Sequence, residues 1–425
     1  MNRIILIGNG FDLAHGLPTS YNSFICSFWE YFLVKVEEYR CNKFDNEHIT
    51  FETDMYDLAY ITSGMPCLSS EYSINKLEEQ IKRFKGSMGT GAKVNLVFKN
   101  KFLETISRHS GAKNWVDIED AYYKFLYSFI DRKEGADYFY QDIKKLNEDF
   151  CKIKNELETY LTRIISDNKI EPDRNIESIV YSKFRIKDFT DIGVQDFAEK
   201  EYFKIENYGQ CDPNEIQIST KTIKQIGELK NYTLHELKNS LIDEYFVNKC
   251  FDFVPNEILF LNFNYTNLEN LYTNNDSEII HIHGELNSKN NPIIFGYGDE
   301  IGKEYAEIEN LIDNEFLENI KSIRYLDTDN YKRLLSFINS DKYQIFVFGH
   351  SCGNSDRTLL NTLFENENCV SIKPFYYKRE NGTDNYSDIT RNISRNFSIK
   401  SLMREKVVNK MYCEPLIGKI KTELM

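Results

Sequence analysis

Four stretches that lie far apart in the chain share one pattern, a run of β-branched or aromatic apolar residues that stops at Gly, Asn or His. Such a run is typical of a buried strand, and the polar residues after it are typical of a loop. The four stretches are IILIGNGFD (4–12), ILFLNFNYTN (258–267), EIIHIHGE (278–285) and QIFVFGHSCGNSD (344–356). Because ligands bind outside the carboxyl ends of parallel strands, the four loops are predicted to meet at one crevice.

Helical spacing dominates the chain between the first and second of these strands. Apolar residues recur every three or four positions in Tyr21–Arg40, Asn114–Leu126, Asp142–Ile165 and about 222–248, which predicts four helices. Three glycines within residues 86–91 predict a flexible loop.

Strand signals return after residue 257, including a further apolar run at Cys369–Tyr377, and helices are predicted within 301–340 and 389–408. The predicted fold class is therefore α/β, with a parallel sheet built from residues 1–40 and 251–425. Residues 41–250 are predicted to form a large, mostly helical insertion.

Composition narrows the class of protein. The chain has 425 residues, 41% of them apolar, and a net charge of −14, which argues against a broad nucleic-acid surface. Nine scattered cysteines without a CxxC pair favour reduced thiols over a disulfide framework or a zinc ribbon, so no metal site is expected. The opening apolar run is too short for a signal peptide, and no stretch is long enough to span a bilayer, so we expect a cytoplasmic protein.

The loop after the first strand, Gly8-Asn9-Gly10, has the composition of a phosphate-binding turn. Glycines without a Cβ let a phosphate approach the backbone, and the N-terminus of the following helix adds partial positive charge. The third glycine of the dinucleotide fingerprint is missing, since Leu13 stands at its position. The alternative is a tight strand-to-helix turn in which Asp12 caps the helix.

The second and third loops offer an amide and an imidazole. The carboxamide of Asn264 can bind a ribose hydroxyl or orient a water, or it can cap a helix that begins near Leu268. His281 and His283 lie on one face of a predicted strand, which superficially suggests a metal. His283 beside Gly284 is a candidate general base, and one of the two histidines is expected to be structural.

The last loop, Gly349 to Asp356, can contact ribose or phosphate through hydroxyl and amide groups. Its GHSCG sequence, which contains His350 and Ser351, has the form of a serine nucleophile elbow. No histidine follows His350 in the chain, so the order of a hydrolase triad is missing.

Taken together, the stretches GNGFDLAHGLPTSY (8–21), NWVDIE, FNYTN, HIHGE and FGHS…D resemble the AbiH family of bacterial phage-abortive-infection proteins. The resemblance covers essentially the whole chain. The order of motifs is also similar to a divergent sirtuin fold, as in the sirtuin-like NAD hydrolases of antiphage defence. It implies a Rossmann-like, sirtuin-like sheet with NAD⁺ as substrate and no other cofactor.

This resemblance also implies roles for individual residues. Asn264-Tyr265 takes the place of the pair at the nicotinamide ribose, and His283-Gly284 takes the place of the catalytic His-Gly. The implied catalytic residues are Asn264 and His283, and the implied nucleotide-binding residues are Gly8, Asn9, Gly10, Asp12, Tyr265, Gly284, Gly349, His350, Ser351 and Asp356. Two positions depart from the sirtuin-like pattern: Thr266 stands where that pattern has Asp, and Asp12 stands where it has Ser or Thr.

The expected function is an abortive-infection effector that cleaves the N-glycosidic bond of NAD⁺ and releases nicotinamide, leaving open a linear or cyclic product. One alternative is a nucleotide-binding sensor or interaction protein without turnover. Another is a metal-dependent phosphoesterase or nuclease that would use Asp12, His281, His283 and His350. We also expect a homo-oligomer, a partner protein of the defence system, no membrane association and no broad nucleic-acid binding.

Overall fold

The computed structural model describes residues 1–54, 57–62, 74–87, 93–108, 115–130, 140–208, 220–251 and 253–417. The strands are β1 (Asn2–Ile7), β2 (Lys43–Asp45), β3 (Ile49–Thr53), β4 (Val94–Phe98), β5 (Ile258–Asn262), β6 (Ser277–His281), β7 (Tyr343–Phe348) and β8 (Cys369–Phe375).

The α-helices are α1 (Asn9–Ala14), α2 (Tyr21–Tyr39), α3 (Leu58–Thr62), α4 (Ile74–Ser87), α5 (Lys101–Arg108), α6 (Trp115–Ser128), α7 (Ile143–Asp167), α8 (Arg174–Val180), α9 (Asp191–Glu206), α10 (Thr220–Leu229), α11 (Leu234–Ser240), α12 (Glu244–Cys250), α13 (Lys303–Glu309), α14 (Lys321–Arg324), α15 (Asn330–Ser340), α16 (Arg357–Glu365), α17 (Tyr386–Asn396) and α18 (Lys400–Lys406). Short 3₁₀ helices lie at Ile186–Asp188, Leu268–Leu271, Asn314–Phe316, Asn354–Asp356 and Lys410–Tyr412. Within the described ranges, none of the helices has the length and apolar character needed to cross a membrane.

A five-stranded parallel sheet has the order β6-β5-β1-β7-β8, with β1 in the centre. The last residues of the central strands are level, because Ile7 pairs with Asn262 on one side and with Phe348 on the other. His281 pairs with Asn262 in turn. The carboxyl ends of β1, β5, β6 and β7 therefore lie side by side, as the sequence pattern predicted.

Strands β1, β5, β7 and β8 are buried along their whole length, and most of their residues are apolar on both faces. This sheet and its helices confirm the α/β class. The narrower Rossmann-like, sirtuin-like assignment stays a prediction.

The chain forms two compact units. One contains Met1–His15, Ile170–Glu285 and the part of the chain from Tyr325, and it includes the parallel sheet. The other contains Gly16–Lys169 and Leu286–Arg324. The predicted insertion boundaries at residues 41 and 250 stay predictions.

The second unit contains a small antiparallel sheet, β2-β3-β4, that the sequence analysis did not anticipate. Its strands are three to five residues long, and most residues of β2 are exposed. Such short, half-polar strands give a weak alternation signal beside the strong helical spacing around them.

The predicted helices at Tyr21–Arg40 and Asp142–Ile165 are confirmed as α2 and α7, and Asp142 caps α7. The helix predicted from Asn114 is described from Trp115 onward as α6, since Asn114 lies outside the described residues. In the glycine-rich patch, Gly86 belongs to α4 and residues 88–91 lie outside the described residues, so a flexible loop stays a prediction there.

The prediction of one helix at about 222–248 is wrong, because this stretch contains the three helices α10, α11 and α12. Thr233 and Glu236 form a capping box that starts α11, and Asp243 caps α12. Polar residues that start helices therefore interrupt the apolar spacing. The helix predicted at 389–408 is likewise two helices, separated by extended backbone at Phe397.

Candidate functional site

The glycine loop packs against the backbone of the loop that follows β7. The amide of Gly8 donates to the Phe348 carbonyl at 3.0 Å, and the amide of Gly10 donates to the Gly349 carbonyl at 2.9 Å. A Cβ on Gly8 would lie 2.5 Å from the Cα of His350, and one on Gly10 would lie 2.8 Å from the Cα of Gly349. The space that the missing Cβ atoms leave is thus filled by the protein's own backbone, where the sequence predicted a phosphate.

Asp12 lies inside α1 and its side chain is 1% exposed. Its Oδ1 accepts a hydrogen bond from Asn264 Nδ2 at 2.8 Å, and its Oδ2 accepts one from Thr266 Oγ1 at 2.8 Å. The prediction that Asp12 caps the helix is wrong, because the extended residue at the N-cap position is Gly8. Burial raises the pKa of Asp12 to about 7, against the opposing effect of the two hydrogen bonds.

Asn264 is bound to Asp12 and does not cap a helix. The 3₁₀ helix that follows begins after Asn267. Asp12 and Thr266, the two positions that depart from the pattern expected from the sirtuin-like resemblance, contact each other through the hydrogen bond from Thr266 to Asp12.

His281 belongs to a buried ion pair. Its Nε2 lies 2.9 Å from Glu269 Oε1, and Glu269 also accepts a hydrogen bond from Asn262 Nδ2 at 2.6 Å. Burial lowers the pKa of His281, but the hydrogen bond and the charge of Glu269 outweigh it and raise the pKa above its usual value. His281 thus joins β6 to the segment after β5, which is a structural role.

We expect Glu269→Gln to destabilise the protein by roughly 3 kcal/mol at low pH, because it leaves a buried His281 without its counter-charge. A histidine whose pKa is raised by folding contributes this stability below its unfolded pKa, and loses it as the pH rises through the folded pKa. The difference in unfolding free energy between the two proteins should therefore shrink as the pH rises through that window. Urea unfolding at a series of pH values measures it, and a constant difference would contradict the assignment.

His283 is 4% exposed and faces a carboxylate. Its Nε2 lies 3.2 Å from Asp356 Oδ1 and 3.2 Å from the Tyr325 hydroxyl. The His283 and Tyr325 rings are nearly parallel, and the ring of Phe263 packs edge-on against the imidazole with centroids 4.9 Å apart. The other carboxylate oxygen of Asp356 lies 3.6 Å from His350 Nε2.

A hydrogen bond fixes which nitrogen of a neutral His350 carries the proton, and the nearby carboxylate of Asp356 favours one tautomer of His283. Nδ1 of His350 accepts from the Cys352 amide at 3.0 Å, so a neutral His350 carries its proton on Nε2, facing Asp356. A carboxylate at Nε2 of His283 favours the same tautomer, in which Nδ1 is the basic nitrogen. Asp356 thus lies between two imidazoles, although the sequence pattern assigned it to the ribose.

Helix α17 holds the loop after β7 through two asparagines. Asn392 donates to the Ser351 carbonyl at 2.7 Å, and Asn396 donates to the Cys352 carbonyl at 2.8 Å. Cys352 is buried and has a φ of 53°, which places it in the left-handed region. The remaining predicted positions lie beside these groups: Asn9 in the first turn of α1, Tyr265 next to Asn264, and Gly284, with a φ of 84°, directly after His283.

The structure identifies one group of three side chains that could hold a metal within the residues it covers: Glu47, His48 and Glu156. Asn100 accepts from the Leu103 amide through Oδ1, so its Nδ2 donates to His48 Nδ1. The proton of a neutral His48 is then on Nε2, facing Glu156 at 3.2 Å, which describes an ion-pair or hydrogen-bond site and not a metal ligand. The four residues of the metal-dependent alternative, Asp12, His281, His283 and His350, form no such group.

Sequence reasoning missed three residues of this site: Phe263, Glu269 and Tyr325. Phe263 lies within the quoted FNYTN stretch, but nothing in its identity predicted that it packs on two histidines. Tyr325 lies 42 residues after His283 in a stretch without any motif. Only the tertiary structure brings it to the site.

One comparison with known proteins gave a match, which runs from β1 to just beyond β8. Residues 4–378 match the family model described as bacteriophage abortive infection AbiH. No match was found among curated proteins or among solved structures. The matched range includes all four loops of the site and most of the sequence, and the chain therefore belongs to the AbiH family of bacteriophage abortive infection proteins.

Proposed function

We propose that this AbiH protein acts in abortive infection by hydrolysing NAD⁺ at the N-glycosidic bond. The observation that carries the proposal is the buried pair of His283 and Asp356, 3.2 Å apart, at the carboxyl end of a parallel sheet. A histidine oriented by a carboxylate is a common general base. Asn264 follows the neighbouring strand and adds an oriented carboxamide.

The sheet order supports a ligand at this edge. From the central β1, the chain continues to β5 and β6 on one side and to β7 and β8 on the other. Crevices at such a reversal, outside the carboxyl ends of the strands, are where α/β sheets bind nucleotides. The loops after β1, β5 and β7 flank this point.

In the proposed reaction, the bond between the ribose C1′ and the nicotinamide nitrogen breaks, and its electron pair stays on nicotinamide. Water bonds to C1′, and its proton passes to Nδ1 of His283. Asp356 stabilises the resulting imidazolium, while the oxygen of Asn264 accepts from a ribose hydroxyl or the water. Preorganised groups of this kind act where charge appears only in the transition state.

The glycine loop is assigned a narrower role than the resemblance implies. The amides of Gly8 and Gly10 donate to carbonyls of the protein, so we do not assign them to the diphosphate. Asn9 and Ser351 are partly exposed polar residues of the two loops, and we propose them for the phosphate and ribose contacts.

Incubation of the purified protein with NAD⁺, with chromatographic detection of nicotinamide and ADP-ribose, tests the proposal. We expect release by the wild type and about a 10²-fold lower rate in Asn264→Ala, because an oriented hydrogen-bonding group is removed. Asn267→Ala is the matched control, since Asn267 lies on the same loop and its side chain caps nothing. A folded wild type that binds NAD⁺ but releases no nicotinamide would contradict hydrolysis and favour the nucleotide-binding sensor.

A further inference from the structure

The carboxylate of Asp12 joins helix α1 to the loop after β5 through its two oxygens. It is almost completely buried, and its donors, Asn264 and Thr266, both lie in the loop after β5, at sequence separations of 252 and 254 residues. A buried carboxylate needs such donors, since an unpaired one is costly. The arrangement is therefore a buried, fully hydrogen-bonded contact and not a chance approach of surface groups.

This contact fixes the direction of the Asn264 amide. Its Nδ2 donates to Asp12, and its backbone amide donates to Asn262 Oδ1 at 2.8 Å. An amide group is planar, so anchoring its nitrogen turns Oδ1 to the opposite side. Asn264 thus presents an acceptor, and the ligand group that it meets must be a donor, such as a hydroxyl or water.

We propose that Asp12 is a positioning residue, which holds Asn264 with its oxygen toward the substrate and thereby selects a ligand that donates a hydroxyl. This inference rests on the proposed function of the same site. Thr266 supports the arrangement by occupying the second carboxylate oxygen. Glu269 and His281 also act on Asp12 through their charges, with opposite effects on its pKa.

Two substitutions of similar size separate hydrogen bonding from packing. Asp12→Asn keeps an acceptor for Asn264 Nδ2 and can donate to Thr266 Oγ1, whereas Asp12→Leu fills the same space with no polar atom. In Asp12→Leu we expect kcat for nicotinamide release to fall about 10²-fold, with KM within about threefold. In Asp12→Asn we expect kcat within about fivefold of the wild type.

A second measurement does not depend on turnover. In ¹⁵N-asparagine-labelled protein, the side-chain amide of Asn264, assigned by its loss in Asn264→Asp, should exchange slowly in the wild type and in Asp12→Asn. It should exchange rapidly in Asp12→Leu, where its acceptor is gone.

The outcomes separate the two ideas. A wild type without nicotinamide release rejects the proposed function, and the exchange of the Asn264 amide then still decides whether Asp12 orients it. Unchanged exchange in Asp12→Leu, or an unchanged kcat, would overturn the positioning role. A fall in thermal stability with kcat and KM altered to the same extent in both variants would also overturn it, since that result indicates packing alone.

Discussion

Replacement of His283 by alanine is expected to lower the rate of nicotinamide release by about 10³-fold, within the range typical of losing a general base. The imidazole is held by Asp356 at 3.2 Å and by the parallel ring of Tyr325, so its basic nitrogen has a fixed direction. NAD⁺ affinity should stay within a few fold, because the imidazole acts on the proton and contributes little to binding. Steady-state kinetics and calorimetric binding measure the two effects separately.

The neighbouring groups provide graded controls. Asp356→Asn keeps the size of the side chain but removes the charge that stabilises the imidazolium, so we expect a large loss in kcat with the fold retained. His350 faces the oxygen of Asp356 that does not face His283, and the proposed reaction gives it no proton to accept, so His350→Gln should lower kcat less than His283→Ala. An equal loss in all three variants, or a fall in NAD⁺ affinity that accounts for the whole effect, would contradict the base assignment.

The strands of the parallel sheet could be predicted because they are buried on both faces. A strand such as β1 or β7 has no solvent-exposed face. Its apolar run therefore marks the strand, and the glycine after the run marks its end. The same reasoning predicted that the loops would meet. It could not detect β2, whose three residues are mostly exposed and carry little pattern.

The partners of the polar side chains could not be predicted in this way. Asp12 and Thr266 are each unexpected when taken alone, but together they form one hydrogen bond across 254 residues of chain. The loop in which Asp356 lies suggested a ribose contact, whereas its contacts are with two histidines. Local patterns determine elements and their ends, but the pairing of side chains depends on the register between strands that are distant in sequence.

The glycines illustrate the same limit. Their number and spacing in the first loop suggested a ligand, yet their immediate neighbours are atoms of the loop after β7. A sequence shows where a glycine stands, but it does not show whether the space beside it is open, as at Gly382, or filled, as at Gly349. The two loops behave as one packed unit, and the residues that they carry are positioned by that packing.

This packing makes Gly349→Ala the substitution with the largest expected effect on stability, more than about 4 kcal/mol. Gly349 has a φ of 67°, and a Cβ there would lie 2.2 Å from the backbone nitrogen of Phe11 and 2.3 Å from the carbonyl carbon of Gly10. These are backbone atoms that no rotamer change can move. Relief requires separation of the two loops and loss of the hydrogen bond from Gly10 to the Gly349 carbonyl.

Gly382→Ala is the matched control, because Gly382 has a φ of 81° and no atom lies within 4 Å of the position that a Cβ would take there. Alanine at this position meets only the cost of a left-handed backbone, about 1–2 kcal/mol. Urea unfolding measures the free energy of unfolding of both variants, and the difference between them gives the cost of the steric clash at residue 349. Similar free energies of unfolding for the two variants would mean that the two loops separate easily. In that case the close packing of Gly8 against His350 would not determine the geometry of the site.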